Sequence, residues 1–512
     1  MAEAAVGPEL VIGLVGATGT DLEAVSNELD QSLRACGYQS DIIRLVHLLR
    51  DFRKWAALPT VPEDERIRGH MDAGDEFRRI TRYPDAFARL GILAIVEHRH
   101  KLTGSETEPA QRRAFILRSL KRPEEVEALR EVYGASFVLV GAYSPRGARV
   151  ARLASRISAS HSSVNADGFR SAAEALVKRD LDDEEQESGQ RVGEVFPLAD
   201  FFVNANDRAG LRTAVDRTTR LIFGYPFSTP TRDECGMFFA HAAALRSGSL
   251  SRQVGAAICT TGGDIVAVGT NEVPRAGGGS YWEGDDDDQR DHVAGSDSSD
   301  LKKRVMAAEV LGRLNTAGWL SENHKSKSPE DLAAMALDDG VSPVLRNTQL
   351  MRVVEYVRAV HAEMSAITDA ARRGTSVRDC TLYATTFPCH HCARHIVASG
   401  IRRVVYVEPY PKSLATELHR DSIEMEPERE PAGKVAFEPF VGVAPRQYSR
   451  MFSMNRRKDR QGHAVRWDGA SAVPRYAWDF ASYGQAETVR LKELADRLTE
   501  IGLSSTKEES GD

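Results

Sequence analysis

Two short clusters, His361-Ala362-Glu363 and Pro388-Cys389-His390-His391-Cys392, restrict what this chain can fold into more than any other part of its 512 residues. Between them CTLYATT (380–386) reads as a strand, and 352–373 and 390–399 read as helices on either side of it. A Cys-x-x-Cys in the first turn of a helix puts two sulfurs on nearly one face, close enough for a single ion. The positive end of that helix favours the thiolate form that binds metal. His361, at the start of the other helix, supplies a third ligand, provided the two helix starts meet at one point. Three protein ligands leave the fourth tetrahedral position of a zinc ion for water, whose pKa the metal lowers to about 7. Glu363, two residues past the histidine, is placed to accept the proton released there.

A structural zinc knuckle or a chance Cys-x-x-Cys needs neither the upstream His-x-Glu, nor the proline, nor the strand between them. His390, His391 and His395 compete as ligands in principle, but the two inside the Cys-x-x-Cys loop are expected to point to solvent or polar neighbours. Cys259 and Cys380 fall in predicted strands and Cys235 opens a helix, so all three read as packing residues.

The rest of the chain alternates short apolar strands with helices, the pattern of α/β folds with covered, largely parallel sheets. LVIGLVG (10–16), AFILRSL (114–120), SFVLVGAY (136–143) and ADFFV (199–203) read as strands. Helices are expected from Asp21 to about Cys36, over 123–134, and from the last strand to about Ile222. YPFSTPT (225–231), with two prolines, marks a boundary. Beyond it 233–247 reads as a helix, 254–261 and 264–271 as a hairpin across Gly262-Gly263, and 403–407 as a strand. About 273–347 breaks the pattern and reads as an insertion holding one helix near 300–315. The expected division is therefore 1–225, 226–475 with its insertion, and a charged tail over 476–512.

Hydrophobic residues make up 42% and charged residues 28%, with a formal net charge of -7. That is the balance of a soluble globular protein and argues against a dedicated nucleic-acid binder. No run approaches the roughly 18 apolar residues of a membrane span. The N-terminus lacks a signal-peptide layout, and six scattered cysteines do not form a disulfide framework. A cytoplasmic setting is expected.

The His-x-Glu…Pro-Cys-x-x-Cys pattern resembles the cytidine deaminase superfamily. SLSRQVGAAI (249–258), DIVAVGTNEVP (264–274), VYVEPYPKSLATELHRDSI (405–423) and FEPFVGVAPRQY (437–448) are similar to its deoxycytidylate (dCMP) deaminases. The resemblance covers about 226–450 apart from the insertion. It implies one zinc per chain on His361, Cys389 and Cys392, with Glu363 moving protons to the substrate ring and the departing ammonia. It implies substrate contact by Asn271, and self-association through the deaminase domain. Arg252 and Lys412 are cations suited to a polyphosphate, with solvated side chains as the alternative. The Asp285–Asp288 run would repel a triphosphate and reads as a solvated loop, with magnesium-mediated contact as the lesser option.

Gly13, Gly16, Gly19, Thr20 and Asp21 follow a strand and precede a helix, the context of a phosphate-binding loop. Thr20 stands where the usual lysine should be and Asp21 where the magnesium-binding hydroxyl should be, so phosphoryl transfer by the usual route is not expected. Residues 179–202 resemble the lid region of nucleotide kinases; a solvated helix face is the leading reading of Arg179 and Arg191, with nucleotide contact as the alternative. The expectation is a degenerate P-loop kinase-like domain that binds a regulatory nucleotide or a partner, with a ligand-free scaffold as the alternative. An arrangement of this kind ahead of a dCMP-type deaminase resembles the bacterial anti-phage dCTP deaminases. It implies conversion of dCTP and dCMP to deoxyuridine nucleotides, draining the dCTP that phage replication needs. Two other readings stay open: a deaminase of bases in RNA or DNA, and a nucleotide sensor with a vestigial zinc site.

Overall fold

A computed structural model describes residues 7–181, 188–338, 343–345, 348–410, 413–427, 429, 431–454, 456–476 and 480–504. The chain is mixed α/β, with two six-stranded sheets. Its contacts divide it into one unit of Met1–Glu234 with Pro439–Asp512 and a second of Cys235–Glu438.

The first unit holds strands β1 (Leu10–Val15), β2 (Gln39–Arg44), β3 (Arg113–Arg118), β4 (Phe137–Tyr143) and β5 (Phe201–Asn204). These five pair in parallel in the order β5-β4-β1-β3-β2. β1 is the central strand, buried along its whole length, with Ile12 in register with Ile116 on one side and Val138 on the other. A parallel strand covered on both faces needs such an uninterrupted apolar run, which is why this part was legible as β. Leu10, Ile12 and Leu14 pack with the helices Leu22–Ala35 and Arg208–Ile222. The alternate face meets Ala86–Thr103, where a Cβ on Gly91 would lie 3.3 Å from Leu117.

Elements here that the sequence alone does not place include β2 and the helices Glu63–Thr81, Ala86–Thr103, Arg146–Ser160 and Arg170–Leu181. The sequence reading ran the second domain through 475 and set the end apart as a tail. In the structure Gly442–Val443 adds antiparallel to β5 as an edge strand, and the helix Phe480–Glu500 packs on Ala86–Thr103 and Pro123–Tyr133. Arg99, wholly buried, grips Glu487 of that helix and Glu9 beside β1, each through two bonds of 2.8–2.9 Å. Tyr133 and Tyr483 cap the same two carboxylates with their hydroxyls.

The second unit numbers its strands onward as β6 (Gly255–Cys259), β7 (Ile265–Thr270), β8 (Thr381–Thr386), β9 (Arg403–Glu408), β10 (Ile423–Met425) and β11 (Val435–Pro439). Their order is β10-β11-β9-β8-β6-β7, with β6 antiparallel to both neighbours and β8 parallel to β9. The helix expected over 352–373 begins only at Ala362. Before it, Val360 exchanges backbone hydrogen bonds with Glu272 at 3.0 and 3.3 Å, so this stretch pairs as an isolated bridge rather than continuing the helix. The insertion carries the expected helix, as Ser298–Thr316, and a second, Pro329–Leu337, packed against it.

Candidate metal centre

β8 and the two helices that flank it in sequence place the cluster. His361 is the residue before the helix Ala362–Arg372, with extended backbone (φ -63°, ψ 152°), and Cys389 holds the same position before His390–Ala398. The helix Ala362–Arg372 lies on β7 and β6. Gly269 permits this: a Cβ there would stand 2.1 Å from the Ala362 carbonyl and 2.4 Å from the Ala366 nitrogen. The methyl of even an alanine has no room, so the glycine sets how closely the helix, and with it His361 and Glu363, approaches the sheet.

His361, Cys389 and Cys392 bring one ligand atom each to within 4.8 Å of one another, the one such group among the described residues. His361 faces the sulfurs through Nδ1, 3.3 Å from Cys389 Sγ and 3.4 Å from Cys392 Sγ. A tetrahedral zinc with Zn–S of about 2.3 Å and Zn–N of about 2.0 Å separates a nitrogen from a sulfur ligand by roughly 3.5 Å. The donor set and its spacing fit that ion. His390, His391 and His395 are outside the group, and His391 lies 3.8 Å from Glu355 instead.

Glu363 is 4% exposed, and Cys392 Sγ lies 3.4 Å from its Oε2. Burial first, and the Cys389 charge second, raise its carboxyl above the usual range, while His361 pulls the other way. Cys389 is drawn down to about 3, first by the hydrogen bond from Cys392 and then, against burial, by His361. The imidazole is raised in turn, chiefly by its bond to Cys389. The thiolate form of Cys389, the form a cation binds, is thereby favoured in a buried pocket.

The other sequence-predicted residues separate. Asn271 is buried, its Oδ1 accepting from Val254 N–H at 2.7 Å and its Nδ2 donating to the Arg252 carbonyl at 2.8 Å. It thereby fixes the segment entering β6. Arg252 is exposed, 3.5 Å from Glu408 and 5.4 Å from the Tyr410 ring centre. Glu408 also accepts from Thr386 at 3.2 Å, a polar link the sequence did not single out. Lys412 lies outside the described residues. Three of the four aspartates in the acidic run face arginines: Asp285 and Asp287 face Arg275, and Asp288 faces Arg290.

In the first unit the loop after β1 holds an internal anion. Asp180, fully buried, accepts from Thr18 N–H at 2.6 Å and from Lys121 Nζ at 2.6 Å. Gly19 adopts φ +90°, and a Cβ there would strike the Arg149 carbonyl at 2.7 Å. Gly13 and Gly16 are hemmed in by Phe137 and the Ala142 carbonyl. Thr20 Oγ1 is buried without a partner, and Asp21 caps the next helix at Ala24 N and pairs with Arg208 at 3.1 Å. Arg179 and Arg191 are taken up by Asp72, Asp75, Glu124 and Glu194. Residues 182–187 of the expected lid lie outside the described residues.

A mixed α/β unit with a His/Cys/Cys cluster and a buried glutamate beside it has the make-up of a zinc-dependent hydrolytic domain. Residues 230–408 match the family model for the cytidine and deoxycytidylate deaminase zinc-binding region. The deoxycytidylate deaminase of Enterobacteria phage T2 is 48% identical over 54 residues, 10% of this chain and 29% of that protein. The Homo sapiens deoxycytidylate deaminase is 33% identical over 69 residues, 14% and 38% of the two chains. The chain thus spans less than a third of the phage enzyme's length. Among solved structures, the apo dCMP deaminase of cyanophage S-TIM5 aligns over 41% of this chain and 99% of its own, at 15% identity and a TM-score of 0.22. The second unit carries a deaminase-type zinc-binding region. Among the described residues no helix is long and apolar enough to cross a membrane.

Proposed function

We propose that this chain hydrolytically deaminates deoxycytidine nucleotides, dCTP and dCMP, to the deoxyuridine nucleotides with release of ammonia. The observation that carries the reading is the convergence of His361 Nδ1, Cys389 Sγ and Cys392 Sγ beside the buried Glu363 carboxyl. His361, Cys389 and Cys392 would hold a zinc ion, which when bound would supply an activated water for attack at the amino-bearing ring carbon. Glu363 would take one proton from that water and place it on the neighbouring ring nitrogen, where it stays, and would carry the second to the amino group, which leaves as ammonia as the carbon–nitrogen bond breaks and the carbonyl forms. Its burial keeps the carboxyl from leaking protons to solvent.

Asn271 retains a lone pair and an N–H beyond its two backbone bonds, enough to meet a sugar hydroxyl. Arg252, exposed beside Glu408, and Lys412 suit the phosphates, with magnesium as a companion of a triphosphate. In a cell the consequence is depletion of dCTP, the antiviral role implied by the resemblance to anti-phage deaminases. Self-association through the second unit and a regulatory nucleotide at Gly13, Gly16, Gly19, Thr20 and Asp21 belong to the same proposal. The paired Asp180 means that a phosphate there must first displace a carboxylate.

The test incubates the purified protein with dCTP, dCMP, cytidine and a cytosine-containing oligonucleotide, with and without ATP or GTP. Ammonia release from the free deoxynucleotides is expected. Release from the oligonucleotide alone would overturn the substrate class, and a rate indifferent to ATP and GTP would remove the regulatory nucleotide.

A further inference from the structure

The first unit contains a cavity of about 160 Å³ where the chain leaves β1 and β3, bounded on one side by the helix Glu63–Thr81. Chain segments after β1 and β3 pass to opposite faces of the sheet, so the cavity lies at a topological switch point, where open parallel sheets bind ligands. Its walls include Ile67, Met71 and Phe87, and three of its polar residues, His70, Arg78 and Gln190, are each 5% exposed.

Each of those three has a buried polar atom without a hydrogen-bond partner: His70 Nε2, Arg78 Nε and Gln190 Oε1. Buried polar groups are nearly always satisfied, so three such atoms around one cavity point to something that enters it. The hydrogen-bond sense follows from the atoms placed there. His70 Nδ1 lies 2.6 Å from the Arg66 carbonyl, which can only accept, so Nδ1 carries the proton and Nε2 is a bare acceptor. Burial lowers the imidazole pKa and keeps the ring neutral. Gln190 Oε1 is a second acceptor and Arg78 Nε–H a donor.

The charges around the cavity are already matched. Arg78 pairs with Glu125 and Asp75, Arg66 with Glu63, and Lys121 with Asp180. What remains open is a neutral pattern of two acceptors and one donor between apolar walls. A cavity of about 150 Å³ accepts a benzene-sized ring, which sets the scale at one ring rather than two.

We propose that this cavity binds a single-ring amino-heterocycle of the aminopyrimidine class, whose N–H groups donate to His70 Nε2 and Gln190 Oε1 and whose ring acceptor receives Arg78 Nε–H. A cytosine ring offers both kinds of group on one edge. In a uracil nucleoside the ring has a single N–H flanked by carbonyls and leaves one of the two acceptors unmet.

The test is calorimetric titration of the full chain carrying Glu363→Gln, so that no probe is turned over, with cytosine, deoxycytidine, dCMP, uracil and deoxyuridine. Two cytosine-class sites per chain are expected, one in each unit, and the free base against the nucleoside and nucleotide shows which form the cavity takes. His70→Phe removes the acceptor at nearly constant shape. Gly74→Val fills the cavity from the helix, where a Cβ comes no closer than 3.4 Å to its neighbours. Either change should weaken one site at least tenfold and leave the other. A titration in which neither substitution weakens any site, or deoxyuridine bound at the site they weaken as tightly as deoxycytidine, would each overturn the proposal. The site count does not depend on ammonia release, so this inference and the proposed deamination fail separately.

Discussion

Glu363 and Cys389 sit in one buried pocket, yet their substitution is expected to give opposite signatures. Glu363→Gln keeps the shape and removes the proton carrier, so zinc content should hold while turnover falls by about 10²–10⁴-fold. Near-normal deamination by that variant would remove Glu363 from the chemistry. Cys389→Ser exchanges the anionic sulfur for a weak oxygen ligand, and elemental analysis should find most of the zinc gone. Glu426 makes a different point at the same scale. Burial raises its carboxyl to about 7, so its unfolded value lies below its folded one. The stability it allows is complete below about pH 4.5 and is lost as pH rises through 7, where the chain must hold a half-buried charge. Glu426→Gln should therefore melt higher than the parent at pH 8 and alike at pH 4.5. Equal melting temperatures at both values would show the group to be solvated.

Among the elements, the helix Ala362–Arg372 depends on a residue outside it. Gly269→Ala drives a methyl into the Ala362 carbonyl and must push the helix start off β7. Loss of zinc and activity is expected from this change although it touches no ligand; an unaltered zinc stoichiometry would mean the strand yields instead. The helix Phe480–Glu500 is held through Arg99, and Arg99→Met would leave Glu9 and Glu487 buried without their cation. Breaking a buried pair in this way costs about 3–5 kcal/mol, measurable by denaturant titration of the full chain.

At the scale of the molecule, the two sheets have separate apolar cores, and every residue of the metal group lies in the second unit. Metal that binds only the folded state stabilises what it binds. Chelation should lower the melting transition of the second unit and leave that of the first in place, as followed by scanning calorimetry. A single transition shifted as a whole would show the units to be coupled.

Strong periodicity and special chemistry can be read from the residues alone. β1, β3, β4 and β8 are apolar runs too short for helices and bounded by turn residues, and each is a strand. His361, Glu363, Cys389 and Cys392 stood out because few residue types bind metal or carry protons, and their spacing follows from one helix start each. The remainder depends on contacts between segments far apart in the chain. β2 reads QSDIIR, polar at its start, and is a strand because β3 offers it a complete row of backbone partners. Residues 352–361 carry a helical pattern, but Val360 pairs with Glu272 and ends it. The loop after β1 has the spacing of a phosphate cradle, but that Asp180, far along the chain, accepts from its Thr18 N–H shows only in the packed structure. His70, Arg78 and Gln190 carry no motif, since an unmet hydrogen bond exists only once the surrounding walls are built. Local pattern reports what a segment prefers by itself; partners distant in sequence, and the cavities between them, are properties of the packed chain.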